Sequence, residues 1–341
     1  MSGNTSNKVR LTSGNDTYVN TSEDATIAAL GGNDTLSNSA SEVSLNAGYD
    51  DDYVYNSGTS SRILGSEGSD TIHNDGDYSY FSGGEGKDLI YTYGSNYVTV
   101  NAGSGGDTVE GNFYSSSING GSGSDSISIS GSSNTILGGT GDDTIYNYNG
   151  NSSYLSSGDG NDSIYAYVNG YVTVNAGSGK DTVEGSFYSS SINGGEGNDS
   201  IYVYSSDYVT VNAGSGRDTI EGTFYSSSIH GGSGNDLISI EGGYNTVLGG
   251  TGDDTIMAYI GSISGGVGAD LIGVNSSTSY SIATVKGGTG DDTITATILL
   301  FYISTALAMA RIKSLASTRI RPLKSAAAQA PILRRRAATM S

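Results

Sequence analysis

The chain has no cysteine and no tryptophan, and it holds only two histidines (His73, His230) and two prolines. Without cysteine there is no disulfide framework and no Cys/His zinc site. That absence is compatible with export and does not establish it. Two prolines in 341 residues exclude collagen and a Pro-rich linker. No stretch reaches the roughly 18 apolar residues of a membrane span. The nearest, Ile298 to Ala310, is shorter and broken by polar residues. The N-terminus shows no apolar core of signal-peptide length. Bases are scarce over most of the chain: residues 1–295 hold seven against 35 acids, a net −28. A body this acidic repels nucleic acid and attracts cations. The other eight bases follow residue 310.

Glycine is what the chain has in excess: 53 residues, about twice ordinary usage. It recurs in phase. The stretch Gly249-Gly250-Thr251-Gly252-Asp253-Asp254-Thr255-Ile256 reads Gly-Gly-x-Gly-x-Asp-x-Ile, a known calcium-binding β-helix repeat signature. The sixth-position aspartates fall at 16, 34, 52, 70, 88, 107, 125, 143, 162, 181, 199, 218, 236, 254, 270 and 292. The intervals are 18 or 19 until the last two, which are 16 and 22. A fixed period of this size signals a solenoid, and eighteen is two nine-residue half-turns.

The apolar residues mark the same halves. Two positions after each Asp stands an aliphatic residue, from Leu36 and Val54 to Ile272 and Ile294; only Tyr18 departs. Two positions before each unit stands another, from Val9 and Ile27 to Ile263 and Val285, with Phe81 among them. Their neighbours are Ser, Thr, Tyr or Asn, so the alternation has period two and predicts short strands with one inward side chain each. About fifteen coils at roughly 4.8 Å make a rod roughly 70 Å long. Only one half-turn carries the glycine–aspartate loop; the other holds runs such as Tyr114-Ser115-Ser116-Ser117. The expectation is a one-sided roll, with ion sites along one edge. Residues 97–146 closely resemble 208–257, which points to duplication of whole groups of coils.

Calcium takes six to eight oxygens, from carboxylates and backbone carbonyls. A tight loop that aims carbonyls at one spot needs positive φ, which glycine adopts cheaply. Complete units begin at Gly83, Gly138, Gly231, Gly249, Gly265 and Gly287; others begin with Ala102, Ser157, Ala176 or Ala213. Units 11–16, 29–34 and 47–52 are weak, the last with Asp50 in place of its third glycine.

Over about residues 9–295 the chain resembles the RTX (haemolysin-type) calcium-binding repeat family. The resemblance implies an all-β, right-handed parallel β-roll with calcium between loops of neighbouring coils. It makes Asp70, Asp88, Asp107, Asp125, Asp143, Asp162, Asp181, Asp199, Asp218, Asp236, Asp254, Asp270 and Asp292 the implied ligands, with the loops opening at the six glycines above. It also implies an extracellular protein that folds on multiple Ca2+ ions, exported by type I secretion machinery through an uncleaved C-terminal signal. The toxin, protease or lipase domain that accompanies such repeats is not visible in the sequence. No enzyme is expected: pairs such as Asp142/Asp143 and Asp253/Asp254 are repeat positions, not a unique cleft. Other readings are an adhesive face that binds carbohydrate or ice, and a repeat fragment of a larger toxin or hydrolase. Mixed loop pairs such as Glu85/Lys87 and Val267/Ala269 disfavour ice. Tyr91/Tyr93, Tyr146/Tyr148, Tyr165/Tyr167 and Tyr202/Tyr204 sit at outward positions and predict an exterior ladder. The two histidines read as solvent-facing turn residues.

From 296 to 341 glycine and acids vanish and alanine and arginine take over. This basic tail reads as poorly ordered or as an out-of-frame product. With suitable codons, a one-base shift turns Leu307–Ser314 into Ala-Gly-Asn-Gly-Lys-Asp-Lys-Ile, another repeat unit. The gene sequence decides this: third bases that do not permit the shift end the idea.

Overall fold

A computed structural model describes residues 7–168, 170–275, 283–296 and 302–303. Those residues form strands and turns and no helix. Each coil contributes two strands, one running into the glycine loop and one running out of it, such as Asn245–Thr251 and Thr255–Ala258. Every strand pairs in parallel with the next-but-one in the chain. Thus Val247 lies beside Ile263, and Ile256 beside Ile272. The result is two parallel sheets of 17 and 16 strands. The solenoid has about 16 turns, in line with the about fifteen expected, and the weak first unit still opens its own strand, Thr17–Asn20. The basic tail lies outside the described residues apart from Ala296, which ends the strand Thr293–Ala296, and Tyr302–Ile303, which pairs with Thr284 and Val285.

The two predicted apolar columns form the core. From Ile27 to Val285, and from Leu36 to Ile272, the side chains are buried; Val9, Tyr18 and Ile294 at the ends are partly so. The expectation of one inward side chain per strand is too low. The period-two alternation runs on, and the fourth residue after each Asp also points inward. In the first coils that position is Asn20, Asn38, Asn56 and Asn74, all buried. Their amides form a ladder: Asn20 Nδ2 donates to Asn38 Oδ1 at 2.7 Å, Asn38 to Asn56 at 2.7 Å, and Asn56 to Asn74 at 2.8 Å. Further along, Ile129, Ala166, Val203 and Ile240 replace the asparagines. Where the position is Gly111, Gly185 or Gly222, the phenylalanine two residues on (Phe113, Phe187 or Phe224) is buried close by.

The outer face carries the expected tyrosine ladder. Tyr146 and Tyr165 stack with ring centres 4.8 Å apart, and Tyr148 and Tyr167 at 6.4 Å. His73 is not a turn residue. It lies in the strand Thr71–Asn74, stacked on Tyr91 at 4.4 Å, with Nε2 3.1 Å from Asp75. His230 likewise lies within a strand, Ser228–Ser233.

Candidate metal centre

The unit 249–254 shows how the loop is built. Strand alternation points Val247, position one (Gly249), Asp254 and Ile256 inward; the strand runs on to Thr251, and Gly252 and Asp253 make the bend. Gly250 and Gly252 have φ of 129° and 118°, where a Cβ would be strained. A Cβ on Gly252 would also lie 2.1 Å from the carbonyl oxygen of Gly234 in the preceding coil. The loops thus stack with backbone against backbone.

The aspartate is clamped by the next coil. The N–H of Asp236 donates to Asp254 Oδ1 at 2.9 Å, and the Asp236 carbonyl accepts the N–H of Thr255 at 2.8 Å. The same bond runs down the column, from Asp16 N–H to Asp34 Oδ1 through to Asp270 N–H to Asp292 Oδ1, at 2.7–3.1 Å. Each carboxylate therefore spends one oxygen on a backbone amide one coil earlier.

The second oxygen has no donor. Oδ2 is buried and unpartnered in Asp34, Asp52, Asp70, Asp88, Asp107, Asp125, Asp143, Asp162, Asp181, Asp199, Asp218, Asp236, Asp254, Asp270 and Asp292. Asp16 is the exception, since Thr12 donates to its Oδ2 from both N–H and Oγ1, each at 2.8 Å. Buried polar atoms are normally satisfied, and a buried charge without a partner is costly. No side-chain cation answers the column: the only ion pair among the described residues is His73–Asp75.

The orphan oxygens face carbonyls. A Cβ built on Gly249 would lie 2.4 Å from Asp254 Oδ2 and 2.5 Å from the Gly265 carbonyl oxygen of the next coil. Gly83, Gly138, Gly231 and Gly265 show the same convergence, and Gly287 the same approach to Asp292 Oδ2. Where Ser157 opens the unit, its hydroxyl donates to the Ala176 carbonyl at 2.7 Å, so the opening carbonyl does aim inward. Two kinds of hard oxygen meet without a hydrogen between them, a donor set that suits Ca2+. No three carboxylate or imidazole groups converge at one point among the described residues. Each coil supplies one carboxylate to the column, and carbonyls make up the rest of the oxygen lining.

Burial pushes the column carboxyls from Asp34 to Asp270 up from their usual 3.8, with neighbouring carboxylates adding to the shift at most of them. Asp52, Asp88, Asp125, Asp181 and Asp218 reach about 6. Asp70, Asp143, Asp199 and Asp254 reach about 7.

Two features escaped the sequence reading. Fifth-position Asn and Asp side chains cap the loop of the next coil: Asn235 Oδ1 accepts the N–H of Asp253 at 2.9 Å, and Asp253 Oδ1 that of Ala269 at 2.7 Å. Asp253 is exposed and Asp254 buried, so the pair does separate jobs. The plain edge uses the same device with neutral groups. Ser61 N–H donates to Ser79 Oγ at 3.0 Å, and Ser116 N–H to Asn134 Oδ1 at 3.0 Å. Such residues stand two positions before Ile63, Ile118, Ile136, Leu155, Ile192, Ile229 and Val247, while Val43, Val98, Val172 and Val209 hold that position in other coils.

Fold and site together define a parallel β-solenoid with a column of buried, half-satisfied carboxylates along one edge only. The family model for the RTX calcium-binding nonapeptide repeat (4 copies) matches residues 101–128, 130–151, 175–205, 212–247 and 282–297. The chain therefore carries RTX calcium-binding repeats over these residues. The coils before residue 100 keep the same register without a match. No curated protein and no solved structure matches the chain.

Proposed function

We propose that the chain is a secreted module that folds on Ca2+ and serves a structural or adhesive role, with no reaction of its own. The ligands in this reading are the Oδ2 atoms of Asp70, Asp88, Asp107, Asp125, Asp143, Asp162, Asp181, Asp199, Asp218, Asp236, Asp254, Asp270 and Asp292. Loop carbonyls join them, including those of position one in the following coil. The supporting observation is the column of buried Oδ2 atoms without donors. A bound cation would supply the positive charge that the column lacks.

The folding argument follows from charge. Residues 1–295 carry a net −28 around a narrow core. Ionised at neutral pH, the column opposes closure of the coils. Binding energy then becomes folding energy. Scarce cytosolic calcium keeps the chain unfolded and competent for export, and abundant external calcium closes the rod. The test is far-ultraviolet circular dichroism at pH 7.5 during a calcium titration. A change from a disordered to a β spectrum is expected, reversed by chelator; a full β spectrum in chelator contradicts the reading.

A further inference from the structure

We infer that the plain edge carries a binding groove for a neutral, extended oligosaccharide, between Tyr171 and Tyr208. It lies at the corner away from the aspartate column and needs only folded coils, so it does not depend on which ion folds them. The groove has a volume of about 500 Å³ and opens to solvent. Its walls are Tyr171 and Tyr208, 66% and 59% exposed. Tyr154, Thr173, Ser189 and Ser191 line it as well.

The groove exists because of an alternation in the sequence. In each coil here, the residue two places before the paired strand position stands at this corner. Tyr78 and Tyr97 occupy it in adjacent coils, and their rings stack at 5.1 Å with no room between. Between Tyr171 and Tyr208 the intervening coil places Ser189 instead. Thr173 pairs with Ser191, and Ser191 with Thr210, so the two tyrosines stand two rungs apart. Two rungs are roughly 10 Å, which leaves a slot wider than one aromatic ring. Tyr188 meets Tyr208 edge-on, with ring centres 6.0 Å apart, and props that wall. The spacing recurs once more: Ser226 separates Tyr208 from Tyr244, which is 83% exposed.

The chemistry selects the ligand. Among the described residues the lining holds only Ser, Thr, Tyr and Val, none of which favours a charged group. Hydroxyls both donate and accept, which matches the hydroxyl-rich edge of a sugar, and tyrosine rings offer flat apolar walls for its C–H faces. Proline-rich peptides also dock between aromatic residues. Their pyrrolidine rings need an apolar bed, and this lining is rich in hydroxyls.

The test uses the full chain in calcium, titrated with cellohexaose, chitohexaose and a proline-rich peptide by calorimetry. Circular dichroism of each variant confirms that the coils are closed. Saturable binding of at least one oligosaccharide is expected. Affinity should fall at least tenfold in Tyr208→Ala, and equally in Ser189→Tyr, which fills the slot without removing an aromatic wall. Absence of saturable saccharide binding by the folded protein overturns the proposal. So does binding that both variants retain, or capture of the peptide alone.

Discussion

Asp236 and Asp254 stand one coil apart, and the second clamps the first: Asp254 Oδ1 accepts the Asp236 N–H at 2.9 Å while its Oδ2 has no donor. On the opposite edge Ser79 holds Ser61 in the same way and leaves nothing unpaired in that clamp. The edges share one hydrogen-bonding device. They differ by one surplus oxygen per coil, and the proposed ion dependence of the rod rests on that difference.

Asp143→Asn and Asp143→Ala should therefore behave differently. Asparagine keeps an acceptor for the Asp125 N–H, now bonded at 2.8 Å, and turns the second atom into a donor toward the carbonyls. Alanine removes both oxygens and strands that N–H, at a cost of about 1–3 kcal/mol. Calorimetry should show reduced calcium uptake in both variants. Thermal denaturation in calcium should show the larger loss of stability in Asp143→Ala.

The pH dependence has opposite signs with and without calcium. Carboxyls that reach about 6 or 7 in the fold, against 3.8 when free, hold protons more tightly folded than unfolded. In chelator, their contribution to stability is complete below pH 3.8 and is lost as pH rises through 6 and 7. Chelated protein should then be more ordered at pH 5 than at pH 8. Calcium competes with those protons, so its apparent affinity should climb across the same window. Circular dichroism and calcium titrations at three pH values read both trends.

Glycine substitutions should separate loop geometry from composition. Gly252→Ala forces a side chain to φ 118° and places its Cβ 2.1 Å from the Gly234 carbonyl. The backbone strain alone amounts to about 1–3 kcal/mol. A Cβ on Gly14 would meet nothing within 4 Å, so Gly14→Ala should be nearly neutral. The melting temperatures of the calcium-loaded variants compare the two.

The asparagine ladder predicts a defect that calcium does not govern. Asn56→Ala removes the acceptor of Asn38 Nδ2 and the donor to Asn74. Leaving such buried groups unpaired costs about 1–3 kcal/mol. Hydrogen exchange should quicken in the first four coils, while the calcium midpoint of the whole chain stays unchanged.

Much of this architecture was legible in the sequence because the coil imposes its period on every residue type. The aspartates at intervals of 18 and 19, and the aliphatics two places before and after each loop, specified the solenoid, its two faces and the loaded edge. The Asn20–Asn74 ladder was hidden because asparagine at an inward position looks like a surface residue until its amide partners are seen. The Ser/Asn clamp was hidden because serine is common throughout the chain. The opposed fates of the two carboxylate oxygens depend on which backbone amide each one reaches, and spacing along a chain carries no such information.

The most direct measurement is the anomalous diffraction of crystals grown in calcium. A row of calcium peaks is expected along the glycine edge, each within bonding distance of an aspartate Oδ2, with none beside the Ser/Asn corners. Carboxylates turned away from every peak, or no peaks in a fully closed rod, would contradict the claim that the surplus oxygens hold the ions that fold this chain.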